Sequence, residues 1–165
     1  MTLQQNDAIL TPSDETTTVT TMNFLTFEDN YLAGQSPERK IIMTNKEKAL
    51  ALIGTFVSGD TAKAKELLAT GYIQHNLAFG TGADAFVAAV EGLAQAPVKT
   101  TVNNIRSFED GDKVFLQTVY NFAGAGEQVG FDVFRFDADG KIAEHWDVME
   151  TLADKSTWAN ENGKF

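Results

Sequence analysis

The run Phe131-Asp132-Val133-Phe134-Arg135-Phe136-Asp137-Ala138-Asp139-Gly140-Lys141-Ile142-Ala143-Glu144-His145-Trp146-Asp147-Val148 decides how the rest of the chain is read. Polar and apolar residues are interleaved on both sides of Asp137-Ala138-Asp139-Gly140, the pattern of two strands joined by a glycine-containing turn. Asp132 shares a strand face with Phe134 and Phe136, and His145 shares one with Asp147. A carboxylate among rings loses solvation, which raises its pKa and makes it a candidate proton donor or acceptor near neutral pH. The same pattern also fits a polar edge on an ordinary hairpin.

Turn length sets which residues meet. A four-residue loop pairs Phe136 with Lys141 and sets Asp132 opposite His145. A three-residue loop with Gly140 left-handed sets Asp132 opposite Trp146. A bulge would reconcile the two. The first arrangement is the expectation, with His145 and Asp132 close enough to exchange a proton. Asp137-Ala138-Asp139-Gly140 is similar to part of a calcium loop but lacks its length and terminal Glu.

Working outward, residues 98–108 and 114–122 carry period-two patterns separated by Glu109-Asp110-Gly111-Asp112, and Gly124-Ala125-Gly126 turns the chain into the strand ending at Phe136. No helix follows that glycine turn, so it is not a phosphate cradle. Before Pro97 the period is helical. Thr44 and Glu47 have capping-box spacing, and Ala49, Leu52, Ile53 and Phe56 follow at helical intervals. Ser58-Gly59-Asp60 ends that helix and starts a second, for which Gly71 is the expected left-handed cap. Tyr72-Ile73-Gln74-His75-Asn76 is a short extended piece, and a third helix carries Phe86, Val90 and Leu93 inward. Helices first and then an antiparallel meander define an α+β domain with helices on one sheet face. That domain is expected over residues 44–165. Residues 1–43 form an extension, partly disordered or docked, with a Thr-rich start and an apolar stretch from Phe24 to Leu32. A fused leader preceding Met43 is an equal reading. The polar C-terminal stretch from Thr151 could close over an opening.

Composition narrows the function classes. The chain has 165 residues, 43% hydrophobic, with a net charge of -10 and pI near 4.5. Phosphates would repel such a surface, so neither nucleic acid nor an anionic membrane is an expected partner. With no cysteine there is no disulfide, thiolate nucleophile or Cys-based metal site. No signal peptide is recognisable and no apolar run reaches membrane-spanning length, which leaves the cytoplasm as the default compartment.

The order of elements, with Tyr72-Ile73-Gln74-His75-Asn76, Phe131-Asp132-Val133-Phe134-Arg135-Phe136, Gly140-Lys141-Ile142 and Glu144-His145-Trp146-Asp147, resembles the SnoaL-like polyketide cyclase branch of the NTF2-like superfamily over about residues 44–165. The family often has Pro after its His-Asn pair, where this chain has Leu77. The resemblance implies a cone: a strongly curved antiparallel sheet around a pocket, closed on one side by helices. It also implies cofactor-free chemistry of cyclase, isomerase or lyase type, although the superfamily includes non-catalytic members. By similarity to ketosteroid isomerases, Asp132 matches the protonated Asp that hydrogen-bonds a developing oxyanion, and His145 and Asp147 match pocket-lining positions. The isomerase base corresponds to about Asn76, a neutral amide; His75 is the nearest substitute.

The expected site therefore has Asp132, His145, His75 and Asp147 as catalytic candidates and Tyr72, Asn76, Tyr120 and Trp146 as pocket walls. No metal is expected, because no ligand spacing such as HExxH is present. The expected function is acid–base chemistry next to a carbonyl, of aldol-cyclisation or isomerisation type, on an apolar or carbonyl-bearing small molecule. The alternative is a non-catalytic ligand-binding module. The middle strand alternates two apolar sets, Leu116 with Tyr120 and Phe115 with Val119. Helices can cover only one, so a homodimer is expected to cover the other unless the Phe24 to Leu32 segment does.

Overall fold

The computed structural model describes residues 42–165. The expectations for the Thr-rich tail and for Phe24 to Leu32 lie outside the described residues.

Helix α1 (Asn45–Ser58) starts at the anticipated capping box. Glu47 N–H donates to Thr44 Oγ1 at 3.2 Å, and Thr44 N–H donates to Glu47 Oε2 at 2.7 Å. Gly59 ends it with φ 72°, its N–H on the Thr55 carbonyl. Asp60 then caps α2 (Thr61–Leu67), accepting from Lys63 N–H at 2.8 Å. The expected cap at Gly71 does not form. The chain is already extended at Leu68 (φ -82°, ψ 143°), because Leu68 is buried and pairs with Ile142 as the start of strand β1 (Leu68–Gln74). Gly71 falls in the irregular stretch between the paired residues Leu68 and Ile73.

Helix α3 (Ala83–Gln95) leads into the meander β2 (Thr101–Asp110), β3 (Lys113–Asn121), β4 (Gln128–Phe136) and β5 (Ile142–Thr151). Strand β2 runs two residues past its expected end. Gly111, at φ 58°, lets the β2–β3 hairpin close through Gly111 and Asp112 alone, with Asp110 paired to Lys113. The spatial order is β1-β5-β4-β3-β2, and the sheet is open. It is mixed rather than wholly antiparallel, since β1 runs parallel to β5. A parallel pair needs a long crossover, which α3 and the first three meander strands supply. The pairing also covers the backbone edge that β5 would otherwise leave open.

Leu52, Ile53, Phe56, Phe86 and Val90 of the helices meet Val114, Leu116, Phe134 and Ile142 of the sheet in one core. On the outer sheet face Phe115, Phe131 and Val148 remain exposed. The C-terminal stretch lies on this outer face rather than over an opening. Gln117 Nε2 donates to the Lys164 carbonyl at 2.9 Å, and the Lys164 ammonium pairs with Glu150 at 2.7 Å. No helix among the described residues is long and apolar enough to cross a membrane.

Gly59 is a backbone position closed to a side chain. A Cβ there would lie 2.7 Å from Ala94 Cβ as well as at φ 72°. Gly59→Ala is expected to lower unfolding free energy by about 1–3 kcal/mol, measured by urea denaturation with an unchanged m-value.

Candidate functional site

The β4–β5 hairpin positions the site. Phe136 pairs with Ile142 across the connection 137–141, whose turn is held by Asp137: its Oδ1 accepts from Asp139 N–H at 3.0 Å and from Lys141 N–H at 2.8 Å. Read straight on, that loop would set Asp132 opposite Trp146. A bulge at Ala143 intervenes, so Arg135 pairs with Glu144, Phe134 with His145 and Asp132 with Asp147. The expected direct pairing of Asp132 with His145 is thus off by two residues. Because two residues is one full period, the three polar side chains still share the inner face.

Asp132 and His145 are buried, 4% and 6% exposed. His145 Nε2 lies 3.0 Å from Asp132 Oδ1, and Tyr120 donates its hydroxyl to Asp132 Oδ2 at 2.8 Å. Phe134 stacks on the imidazole, centroids 4.4 Å apart. On the far side His145 Nδ1 is 2.9 Å from Gln74 Oε1, which also accepts the Asn76 backbone N–H at 3.0 Å. A backbone N–H can only donate, so the Gln74 atom it meets is the oxygen. That oxygen can only accept, so His145 Nδ1 carries a hydrogen. Nε2 and Oδ1 then share one proton, as imidazole with carboxylic acid or imidazolium with carboxylate. In either form the pair is jointly neutral.

Asp147 sits beside this pair. One ligand atom each from Asp132, His145 and Asp147 falls within 4.8 Å of the others. Asn76 Nδ2 donates to Asp147 Oδ2 at 2.5 Å. This trio is the set among the described residues that could hold a small cation, but His145 Nε2 would first have to release Asp132. The chamber they border is otherwise walled mainly by apolar groups, among them Ile53, Phe56, Phe79, Phe122 and Met149. Burial, the nearby Asp132 charge and their hydrogen bond hold the Tyr120 hydroxyl far above its ordinary range. Burial, with the charges of Asp147 and Asp132, does the same for Tyr72.

The structure therefore brings together Asp132, His145, Asp147, Asn76 and Tyr120. Tyr72 is core: its hydroxyl accepts from Gln74 Nε2 at 3.1 Å and its ring meets Phe86 edge-on. His75 and Trp146 lie on the opposite face of the sheet, stacked with centroids 5.0 Å apart. There Glu144 accepts from His75 at 2.8 Å and from Arg135 Nε at 2.9 Å. Two contributors were not singled out from the sequence. Gln74 lies between Tyr72 and Asn76 at period two, which is the signal that finds it. Gly130 leaves the space Tyr120 occupies: a Cβ there would come within 2.8 Å of the Tyr120 ring.

Solved structures of similar fold place this architecture among NTF2-like proteins. An NTF2-like protein of unknown function from Cytophaga hutchinsonii ATCC 33406 is 17% identical, with a TM-score of 0.58 over 67% of this chain and 94% of that one. IdmH of Streptomyces antibioticus, provisionally a polyketide cyclase, is 21% identical, with a TM-score of 0.52 over 66% and 93%. A provisional SnoaL-like polyketide cyclase from Shewanella denitrificans OS-217 is 16% identical, with a TM-score of 0.53 over 64% and 90%. Identities this low speak for the fold alone. No curated protein matches the chain. Residues 49–145, more than half of the chain, match the SnoaL-like domain model, and the protein belongs to that family.

The outer cluster has a pH signature. Hydrogen bonds first from His75 and then from Arg135 hold the Glu144 carboxyl below the ordinary glutamate range. A lowered carboxyl stabilises the fold above its unfolded-state value, and the contribution is lost as pH falls through the folded value. Glu144→Gln is therefore expected to lower Tm near neutral pH, with the gap to the unmodified protein closing below the ordinary glutamate range. Thermal melts across acidic pH measure this.

Proposed function

We propose that this chain is a small-molecule pocket protein that performs cofactor-free acid–base chemistry at a carbon next to a carbonyl. The reaction type is aldol cyclisation or isomerisation. The observation that carries this reading is the buried, hydrogen-bonded Asp132–His145 pair beside Asp147 in a mainly apolar chamber. Asp147 is the base. Asn76 holds its Oδ2, and its Oδ1 accepts no hydrogen bond among the described residues. Asp147 takes the proton from carbon, the C–H electron pair forms the enolate double bond, and the carbonyl π pair moves to oxygen. The proton shared by Asp132 and His145 moves toward that oxygen, so charge develops where a donor already stands. The enolate carbon is then reprotonated elsewhere or attacks a second carbonyl. His145 is engaged at both nitrogens, so its role is to share and orient the Asp132 proton rather than to act as a free base. His75, on the opposite sheet face, has no part in the reaction. The provisional cyclase names of two fold relatives point the same way by analogy.

Hydrogen–deuterium exchange at the α-carbon of β-dicarbonyl and aryl ketones, followed by NMR in D2O, tests this. The protein is expected to accelerate exchange, and Asp147→Asn to reduce it by at least about 100-fold. Saturable ketone binding with no exchange would instead support a non-catalytic binding module.

The outer sheet face supports a homodimer. Phe131, Phe115 and Val148 are 53%, 45% and 71% exposed, and a second copy of the same face would bury them symmetrically. Light scattering of the full-length protein is expected to give the dimer mass, and Phe131→Glu with Val148→Glu the monomer mass. A monomeric full-length protein that dimerises only after removal of residues 1–42 would make the N-terminal segment the cover and overturn the dimer.

A further inference from the structure

The chamber beside Asp132, His145 and Asp147 encloses about 20 Å³, room for roughly one water molecule. No organic substrate fits it as it stands. A wider groove of about 570 Å³ lies next to it, between α3 and the far end of β5, with Ala89, Gly92 and Leu93 on the helix side. Phe79, Phe122 and Met149 line both spaces, so these three side chains are the partition. They are not equally fixed. Phe122 stacks on Tyr120 at 5.1 Å and meets Phe56 edge-on at 5.5 Å. Met149 is an unbranched thioether, and such side chains adapt readily. Phe79 is half-buried in the turn that precedes α3, followed by Gly80 and Gly82, and among the described residues its one ring neighbour is Phe56, at 6.4 Å.

We propose that this chain takes an elongated apolar molecule with one carbonyl end, and that Phe79 is the gate that selects it. Phe79 and Met149 move aside, the carbonyl end enters the chamber, and the apolar remainder lies in the groove along α3. The placement of the carbonyl end rests on the acid–base reading above. The groove assignment rests on the shared walls of the two cavities. Gly92 offers a test that folding does not confound. A Cβ built there meets nothing within 4 Å among the described residues, so a larger side chain projects into the groove that Gly92 lines, and replacing a glycine inside a helix favours the fold.

The probe is the series of linear methyl ketones from 2-butanone to 2-dodecanone, with binding read by NMR from the His145 ring and the Met149 methyl. Affinity is expected to rise by about fourfold per methylene until the groove is full. Gly92→Leu should weaken the long ketones at least tenfold and leave the short ones unchanged. Phe79→Ala should admit branched and aryl ketones that the unmodified protein binds at least tenfold more weakly. Affinity independent of chain length, or equal loss of short and long ketones in Gly92→Leu, overturns the groove. Unchanged discrimination in Phe79→Ala overturns the gate. Length-dependent binding that shifts Met149 but never His145 overturns the placement of the carbonyl end. Length-dependent binding that shifts both, with no α-proton exchange, supports the groove and defeats only the acid–base reading.

Discussion

Ala143 is the residue on which the two faces of this molecule depend. The connection 137–141 is fixed by Asp137, whose side chain and backbone hold both ends of the turn. With that loop alone, Trp146 would enter the core and His145 would face outward. The bulge shifts β5 by one residue, and a one-residue shift exchanges the faces of every side chain beyond it. It buries His145 against Phe134 and brings Asp147 across from Asp132. The same shift puts Glu144 and Trp146 outside, where Arg135 and His75 reach them.

The two faces handle charge differently, and the difference follows from solvent. Outside, Glu144 is paired with a permanent cation and a partly exposed histidine, and its carboxyl is stabilised in the ionised form. Inside, no lysine or arginine among the described residues lines the chamber. A lone carboxylate there would carry a large desolvation cost. Asp132 offsets it through hydrogen bonds with His145 and Tyr120. Gln74 holds the arrangement in one tautomer because its oxygen is already oriented by the Asn76 backbone. A polar chain that is satisfied at every link, set in apolar walls, is rigid where a solvated cluster would not be.

Much of this was legible in the sequence, and the failures have specific causes. Capping chemistry is local, so the Thr44–Glu47 box and the Gly59 stop could be read directly. The inner face of the hairpin could be read too, because period two needs only parity. The exact register could not, since a bulge is decided by the competition between turn hydrogen bonds and burial across two strands, and no single residue signals it. The cap expected at Gly71 failed for a related reason: a glycine suited to a left-handed turn was overridden by burial of Leu68 against Ile142. The parallel partnership of β1 and β5 joins segments about 70 residues apart, beyond the reach of any local pattern. His75 and Gln74 are a different case. Tyr72, Gln74 and Asn76 share one face of an extended chain and His75 lies on the other. Parity thus places the glutamine, not the more reactive histidine, on the site face.

The size of the inner chamber ties these threads to dynamics. The space beside Asp132 and His145 is about 20 Å³, room for roughly one water. In the proposed gating, entry of a substrate exchanges ring and thioether contacts at Phe79 and Met149 for contacts with its own apolar body. Each of those is worth only tenths of a kcal/mol per atom pair, so the exchange is close to balanced for a molecule that is apolar along its length and unfavourable for one that is not. In the proposed reaction, a hydrogen bond to the carbonyl oxygen strengthens as charge moves onto that oxygen, beside the contact between Asp132 and His145. Under that proposal apolar contact selects the molecule, and the polar end discriminates the transition state from the ground state.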